Sequence, residues 1–337
     1  MNEKVNPEGY TMLKQAFETD WAKIYQMDGE GKVERYIATT PETRAICNDP
    51  KIAGIDYTDK LQQACVAVLK TLDLNIKESS GVVVNILRGG LNYGLRHALH
   101  DAFGWNRHTT CFISAQRARD NADPEEWHIT ENAYRKVYLP RAASLFIGDV
   151  VATGTSLRYG LNELINSAKE METDLQDIVF FTIGGAIASK ILEEVDDECR
   201  RLFPSYHRTV LIYFEGCFGV PDLDSRLMIR LTGTDLTRGD AVMAPEFIDS
   251  QYENPAYPVE RCTIYDAGSR AFHVSEYAED VRGYWKQVLD LADQGVTFEA
   301  YLKDRFPSLD AGRFVGTSLR DIAVKQINAM TTLLQMQ

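Results

Sequence analysis

The central part of the chain alternates short apolar runs with segments of helical periodicity. The apolar runs are rich in β-branched and aromatic residues and cover residues 82–87, 110–114, 143–147, 178–183 and 210–214. Stretches with apolar residues at helical spacing lie among them, at residues 91–103, 156–169 and 186–202. Uninterrupted apolar strands separated by helices are typical of a parallel sheet that is buried on both faces. The pattern therefore predicts an α/β fold with a mainly parallel sheet flanked by helices.

The two ends of the chain show helical spacing as well. Residues 10–27 place apolar side chains on one helical face, namely Leu13, Phe17, Trp21 and Ile24. Residues 57–74 predict a second helix, and apolar stripes around Val281 and Leu319 predict helices near the carboxyl terminus. The terminal stripes fit either a cover for the core or a dimer interface, and we expect a homodimer. The predicted division is an N-terminal helical extension, an α/β core and a C-terminal helical extension, at residues 1–56, 57–273 and 274–337.

Composition narrows the class of protein. A chain of 337 residues with 45% apolar content can bury a large core. Its apolar runs are too short to cross a bilayer, and its amino terminus lacks the basic start and apolar block of a signal peptide. The six cysteines form no CxxC pair and no Cys/His ligand spacing, which indicates reduced thiols. We expect a cytoplasmic protein with no membrane partner.

The net charge of −13 argues against broad nucleic-acid binding, because duplex affinity depends mainly on Lys and Arg side chains that neutralise phosphates. We therefore expect no nucleic-acid partner. A polyanionic small molecule would need a local basic pocket instead. Arginines that could form one fall within one short stretch, at Arg88, Arg96, Arg107, Arg117 and Arg119. Solvated surface arginines are the alternative interpretation.

The strongest chemical signal lies where the run 143–147 ends. The chain continues as Gly148-Asp149-Val150-Val151-Ala152-Thr153-Gly154-Thr155-Ser156 and passes directly into a helical segment. Such a turn presents backbone N–H groups at the positive end of a helix dipole, which favours an anion. Gly154 permits close approach of a phosphate, and Asp149 is placed to accept hydrogen bonds from ribose hydroxyls. The alternative is an ordinary helix start capped by Thr or Ser.

This segment resembles the signature with which type I phosphoribosyltransferases bind 5-phosphoribosyl-1-pyrophosphate (PRPP). The signature is a strand, then (D/E)-D-x-x-A-T-G-x-(S/T), then a helix. The resemblance implies a type I phosphoribosyltransferase fold with a hood, and a catalytic Asp149 that contacts the ribose. It implies that the 5′-phosphate is bound by Ala152, Thr153, Gly154, Thr155 and Ser156. Gly148 departs from the pattern, because an acidic residue usually stands there.

Two upstream features fit the same family. Arg88-Gly89-Gly90, after the run 82–87, resembles the loop that holds pyrophosphate, where glycines let backbone amides turn toward the ligand. A plain tight turn is the alternative. The polar stretch 114–139 matches the position of the family's mobile catalytic loop. Through this resemblance Arg117 and Arg119 become catalytic candidates that could close on the pyrophosphate.

Candidates for the acceptor site lie in two places. Residues 266–272 resemble the D-A-G-D-R-x-F segment of uracil phosphoribosyltransferases, which indicates Asp266, Gly268 and Arg270 as acceptor residues. Phe214 and Glu215, after the last core strand, are the other candidates, and a structural turn is the alternative there. The histidines form no convincing catalytic triad or metal site.

We predict a PRPP-dependent pentosyltransferase of nucleotide metabolism that transfers the 5-phosphoribosyl group to a nitrogenous base and releases pyrophosphate. The resemblance implies Mg²⁺ as a cofactor that is bound through PRPP, with no direct protein ligand. Two alternatives stay open. One is a non-catalytic PRPP- or nucleotide-binding regulator, and Gly148 is the main observation in its favour. The other is a nucleotide phosphorylase or hydrolase on the same fold. The sequence does not identify the acceptor.

Overall fold

Strands and helices alternate through the central part of the chain, as the pattern predicts. The computed structural model describes residues 11–29, 31–119, 127–131, 133–221, 227–231, 235–261 and 267–335. The strands are β1 (Thr11–Glu18), β2 (Lys23–Asp28), β3 (Glu34–Thr39), β4 (Gly81–Leu87), β5 (Thr109–Ser114), β6 (Gln116–Arg119), β7 (Trp127–Glu131), β8 (Arg135–Lys136), β9 (Ala142–Val151), β10 (Asp174–Gly185), β11 (Arg208–Gly219) and β12 (Thr237–Met243). The helices are α1 (Pro41–Asn48), α2 (Ile55–Thr71), α3 (Leu95–Phe103), α4 (Thr155–Glu170), α5 (Ile187–Leu202), α6 (Pro245–Ser250), α7 (Ala267–Phe272), α8 (Val274–Asp293), α9 (Phe298–Arg305) and α10 (Leu319–Gln335). Short 3-10 turns occupy Glu78–Ser80, Gly89–Tyr93, Tyr257–Val259 and Ala311–Phe314.

The strands of the described residues build a ten-stranded sheet with a parallel centre. Its order is β1-β2-β3-β11-β10-β9-β4-β5-β8, and β12 pairs with β11. Each neighbouring pair from β3 through β11, β10, β9 and β4 to β5 is parallel. β6 and β7 form a separate antiparallel hairpin. The mainly parallel α/β class is confirmed.

Burial explains the uninterrupted apolar character of the central strands. Residues 82–84 of β4, 178–181 of β10 and 210–214 of β11 are almost inaccessible to solvent. Helix α2 packs against α1 and α3, and α4 packs against α5. Parallel strands need long crossover connections, and these helices both supply them and flank the sheet.

The helix predicted over residues 10–27 is wrong. This segment forms β1 and β2, an antiparallel pair that joins the sheet beside β3. Because β3 pairs with β11 on one edge and offers its other edge to β2, backbone pairing overrides the local helical spacing. Ile24 is fully buried, whereas Phe17 and Trp21 are 41% and 64% exposed, so these side chains share no covered face. The chain boundaries after residues 56 and 273 stay predictions.

The apolar stripes near the carboxyl terminus form the helices that they predict. α8 buries Val281 and Trp285, and α10 buries Ala323 and Met330. The two helices pack against each other, so part of each stripe is covered within the chain. No helix in the described ranges has both the length and the apolar composition that a membrane crossing requires.

A buried ion pair attaches the amino-terminal strands to helix α5. The Arg35 side chain in β3 is 2% exposed and donates hydrogen bonds to the Glu193 carboxylate, the Ser189 hydroxyl (2.7 Å) and the Val33 carbonyl (3.0 Å). The same carboxylate accepts from the backbone N–H groups of Lys32 and Val33, both at 3.1 Å. The contact therefore fixes both the strand and the turn that precedes it.

We expect Arg35→Met to lower the free energy of unfolding by on the order of 3 kcal/mol, because the partly buried Glu193 carboxylate would lose its cation. Urea denaturation followed by circular dichroism measures this loss. Lys32→Met is the matched control, because the Lys32–Asp197 pair is exposed at the surface. The control should change the free energy by less than about 0.5 kcal/mol. Equal losses in the two variants would contradict the role given to Arg35.

Candidate functional site

A cleft of about 370 Å³ opens at the carboxyl ends of β4 and β9. Its lining includes Arg88, Gly89, Asp149, Gly154, Ser156 and Gly268. Ligands of open α/β sheets bind outside the carboxyl ends of the strands. Position and lining therefore make this cleft the candidate site. We call residues 88–93 the first loop and residues 149–156 the second loop.

The first loop leaves β4 in a tight turn. The Leu87–Arg88 peptide bond is cis, and a 3-10 turn follows at Gly89–Tyr93. A Cβ atom at Gly90 would lie 2.8 Å from the Cα atom of Asn85, so the turn packs on β4 more closely than a side chain would allow. The Arg88 side chain is exposed and lines the cleft, where it offers a cation to a ligand.

The second loop ends at a glycine that starts helix α4. Gly154 has φ of 75°, a left-handed conformation, and a Cβ atom there would lie 2.4 Å from the Cδ1 atom of Ile191. The left-handed backbone conformation therefore favours glycine, and a side chain here would also have to displace the end of the Ile191 side chain. Gly154 is the N-cap residue and supplies no side-chain cap to the first turn of α4. An anion can take that place, because the first N–H groups of a helix lack partners within the helix.

The hydroxyl groups of the second loop divide into two kinds. Ser156 Oγ donates to the carbonyl of Ala115 at 3.1 Å, which attaches α4 to the connection between β5 and β6. The Oγ1 atoms of Thr153 and Thr155 lie 3.4 Å apart, and both side chains are partly exposed. Thr153 and Thr155 flank Gly154 but do not line the cleft themselves, whereas Ser156 lines the cleft and also holds α4 in place.

The two loops interlock through glycines. The Asp149 carboxylate packs against Gly89, where a Cβ atom would lie 2.0 Å from Oδ1 of Asp149. In the opposite direction, the Tyr93 ring packs against Gly148, where a Cβ atom would lie 2.4 Å from Cγ of Tyr93. Gly89 of the first loop thus leaves space for the Asp149 side chain, and Gly148, just before the second loop, leaves space for the Tyr93 side chain.

Hydrogen bonds fix both of these side chains. Oδ1 of Asp149 accepts from the N–H of Val150 at 2.9 Å, and the residue is 8% exposed. The hydroxyl of Tyr93 donates to the Asp149 carbonyl at 3.0 Å and accepts from the Ile183 N–H at 3.1 Å. Burial raises the pKa of Tyr93 well above its ordinary value, so this hydroxyl keeps its proton. The Tyr93 ring also stacks on Phe214, with ring centroids 6.4 Å apart.

Phe214 and Glu215, the predicted acceptor residues after β11's apolar run, lie in the core. Both side chains are fully buried, and neither lines the cleft. The Glu215 carboxylate accepts from the Thr39 hydroxyl (2.7 Å), the Thr40 N–H (3.1 Å) and the Thr43 hydroxyl. Burial raises the pKa of Glu215 to about 7, although these hydrogen bonds act in the opposite direction.

Arg270 anchors α7 beside the cleft. Its buried guanidinium donates to the carbonyl groups of Ile52 (2.7 Å), Asp49 (2.9 Å) and Ile46 (3.0 Å). These carbonyls belong to the end of α1 and the segment that follows it. The contact holds α7 in place, and Gly268 of α7 forms part of the cleft wall.

The remaining predicted residues fall into two groups. Arg117 and Arg119 belong to β6, whose side chains lie outside the described part of the chain, and Asp266 also lies outside the described residues. Arg96 and Arg107 are exposed and do not line the cleft. Among the members of the predicted basic cluster whose side chains are described, Arg88 is therefore the residue that lines the cleft.

Carboxylates are sparse in the cleft. Asp149 is the only acidic residue among the described residues that line it. Within the described ranges, no group of three or more His, Cys, Asp or Glu side chains could hold a metal ion.

Two contacts of the first loop were missed by the sequence analysis. Asn92 Nδ2 donates to the Ala267 carbonyl at 3.2 Å, which links this loop to α7. The other is the contact of Tyr93 with Gly148. A signal for it was present, because a large aromatic residue follows Arg-Gly-Gly while glycine stands at the usual acidic position of the second loop.

Comparison with known proteins finds a weak structural similarity and no sequence match. No family model and no curated protein matches the chain. Among solved structures, the chain is similar to a hypoxanthine phosphoribosyltransferase from Staphylococcus aureus, with a TM-score of 0.22 and 15% identity. The similarity covers 42% of this chain and 63% of that enzyme. A similarity of this size does not identify the family of the chain.

We expect the buried Glu215 carboxyl to make stability depend on pH. Its pKa is about 7 in the folded protein against an ordinary value of 4.5, so its contribution is full below pH 4.5 and is lost as the pH rises through 7. The loss is on the order of 3 kcal/mol. Glu215→Gln lacks this titration. Urea denaturation of both proteins across this pH range should show the wild type losing stability relative to the variant. A constant difference would contradict the burial of this group.

Proposed function

We propose that the cleft binds PRPP and that the protein transfers the 5-phosphoribosyl group to a nitrogenous base. The observation that carries this proposal is that both loops line the same cleft, the first with Arg88 and Gly89, the second with Asp149 and Gly154. PRPP carries a phosphate, a pyrophosphate and ribose hydroxyls. A cation, an uncapped helix start and a carboxylate are the groups that complement these parts.

The second loop is the proposed site of the 5′-phosphate. The first-turn N–H groups of α4 would donate to the phosphate oxygens, and the partly exposed hydroxyls of Thr153 and Thr155 would add donors. Ala152 is 6% exposed and contributes backbone. Ser156 lines the cleft and would also hold α4 against Ala115.

The first loop is the proposed site of the pyrophosphate. Arg88 would pair with its oxygens, and the glycines beside Arg88 let the backbone approach the ligand. Arg117 and Arg119 are proposed as further cations for the same group. Their strand follows Ala115, which itself lines the cleft.

In the proposed reaction the bond between ribose C1 and the pyrophosphate oxygen breaks, and its electron pair leaves with pyrophosphate. A lone pair on the base nitrogen forms the new bond to C1, and the base releases a proton to solvent. Mg²⁺ held by the oxygens of PRPP would neutralise the charge that develops on pyrophosphate. Asp149 would accept hydrogen bonds from the ribose hydroxyls and orient C1. Catalysis would thus come from positioning and from stabilisation of the leaving group.

The acceptor is proposed to approach from the side of α7. Gly268 lines the cleft there, and Asp266 precedes α7 in the chain. Arg270 would support this side by anchoring α7, since its guanidinium donates to backbone carbonyls. Phe214 would support the opposite side by stacking on Tyr93.

One observation favours a second function, PRPP binding without turnover. Gly148 leaves the cleft with Asp149 as its one acidic residue among the described lining residues. Release of pyrophosphate from PRPP and Mg²⁺ with a panel of purine, pyrimidine and related bases separates the two functions. Base-dependent release supports transfer, and tight PRPP binding without release for any base supports the regulator.

We expect Asp149→Asn to weaken PRPP binding by about 10- to 100-fold, because the substitution keeps the shape of the side chain and removes its charge. Thr153→Ala should weaken binding by about fivefold to tenfold through loss of a hydroxyl donor. Isothermal titration with PRPP and Mg²⁺ measures both. Undiminished affinity in both variants would overturn the site.

A matched pair of arginines tests the first loop in the same titration. Arg88→Gln removes the cation that lines the cleft and should weaken binding by about tenfold or more. Arg96→Gln removes an exposed arginine outside the cleft and should leave the affinity unchanged. Equal effects would show that overall charge, and not the cleft, governs affinity.

A further inference from the structure

We infer that Tyr93 is a positioning residue, whose hydroxyl fixes the strand end that carries Asp149 and whose ring fills the space of a second acidic side chain. This inference rests on the proposed function, because it concerns how the PRPP site is held. It accounts for the single carboxylate among the described residues that line the cleft and explains why glycine stands at position 148.

The buried hydroxyl of Tyr93 bridges two neighbouring strands at the level of Asp149, which lines the cleft. It donates to the carbonyl of Asp149 in β9 and accepts from the N–H of Ile183 in β10. In the register of these strands Asp149 lies opposite Thr182, the residue before Ile183. The bridge therefore fixes the backbone from which the Asp149 side chain projects.

The Tyr93 ring excludes any side chain from position 148. A Cβ atom at Gly148 would lie 2.4, 2.7 and 2.8 Å from three carbon atoms of Tyr93. Contacts below 3.0 Å are not tolerated between such atoms, so an acidic residue at 148 requires Tyr93 to move. The ring itself has little room to do so, because it is fully buried and stacks on Phe214.

Both ends of the first loop contact Asp149. Gly89, at the start of the turn, leaves the space that the Asp149 carboxylate occupies. Tyr93, at its end, holds the Asp149 carbonyl. A shift of this turn would therefore move both the proposed pyrophosphate site and the proposed ribose contact.

Tyr93→Phe tests the hydroxyl, since it keeps the ring and removes both hydrogen bonds. Two readouts are used: PRPP affinity by titration, and hydrogen exchange of the backbone at residues 149–156 without ligand. We expect about a tenfold loss of affinity and faster exchange in this segment. Unchanged exchange in the segment would overturn the inference.

Tyr284→Phe is the matched control. The buried hydroxyl of Tyr284 also has two partners, the Val259 carbonyl (2.6 Å) and the Tyr301 hydroxyl (2.7 Å), and it does not line the cleft. This variant should lose stability without faster exchange at residues 149–156 and without loss of PRPP affinity. Equally fast exchange at residues 149–156 in both variants would show that the loss of Tyr93's hydroxyl acts only through general destabilisation. That result would overturn the inference.

The exchange measurement also separates this inference from the proposed function. If the wild type does not bind PRPP, the proposed function fails, yet exchange in the ligand-free protein still decides whether Tyr93 holds the second loop. If the wild type binds PRPP and Tyr93→Phe binds it equally well, the proposed function stands and the positioning role is overturned.

Two glycine variants test the steric contact between position 148 and the Tyr93 ring. Gly148→Ala places a methyl group against Tyr93 and should lower the melting temperature by several degrees. Gly283→Ala is the control, because a Cβ atom at Gly283 meets nothing within 4 Å. This variant should melt at or above the wild-type temperature, since alanine favours helix. Melting of Gly148→Ala at the temperature of Gly283→Ala would overturn the steric argument.

Discussion

The candidate site depends on one packing constraint. Asp149 and Tyr93 each pack against a glycine in the segment that they face. Asp149 occupies the space that Gly89 leaves open, and Tyr93 occupies the space at Gly148. Interiors are close-packed, so a larger residue at either glycine would displace the opposing side chain. The two contacts therefore set the separation between the loops and with it the width of the cleft.

Sheet topology brings these loops together although about sixty residues separate them in the chain. β4 and β9 are parallel neighbours, so the segments that follow them emerge at the same edge of the sheet. β10 lies on the other side of β9 and supplies the Ile183 N–H that Tyr93 accepts. The order of strands thus determines which side chains meet, and the glycine contacts determine how closely the loops pack.

Sequence patterns predict what depends on local chemistry. The apolar runs predict the parallel strands, and the glycine and hydroxyl residues around Gly154 predict the helix start, because each signal lies within a few residues. Long-range pairing is different. Residues 23–28 join the sheet beside β3, which itself pairs with the distant β11, and the spacing of Ile24 cannot reveal that pairing. Likewise, nothing near Arg270 in the sequence shows that its guanidinium binds carbonyls around residue 50.

The contact of Arg270 has a consequence for the order in which the protein forms during synthesis. Its carbonyl partners at Ile46 and Ile52 are made early, whereas α7 follows more than two hundred residues later. Domains generally fold as units, and a nascent chain that ends before α7 still lacks the wall that carries Gly268. The Gly268 side of the cleft is therefore complete only after Arg270 has met carbonyls from a much earlier part of the chain.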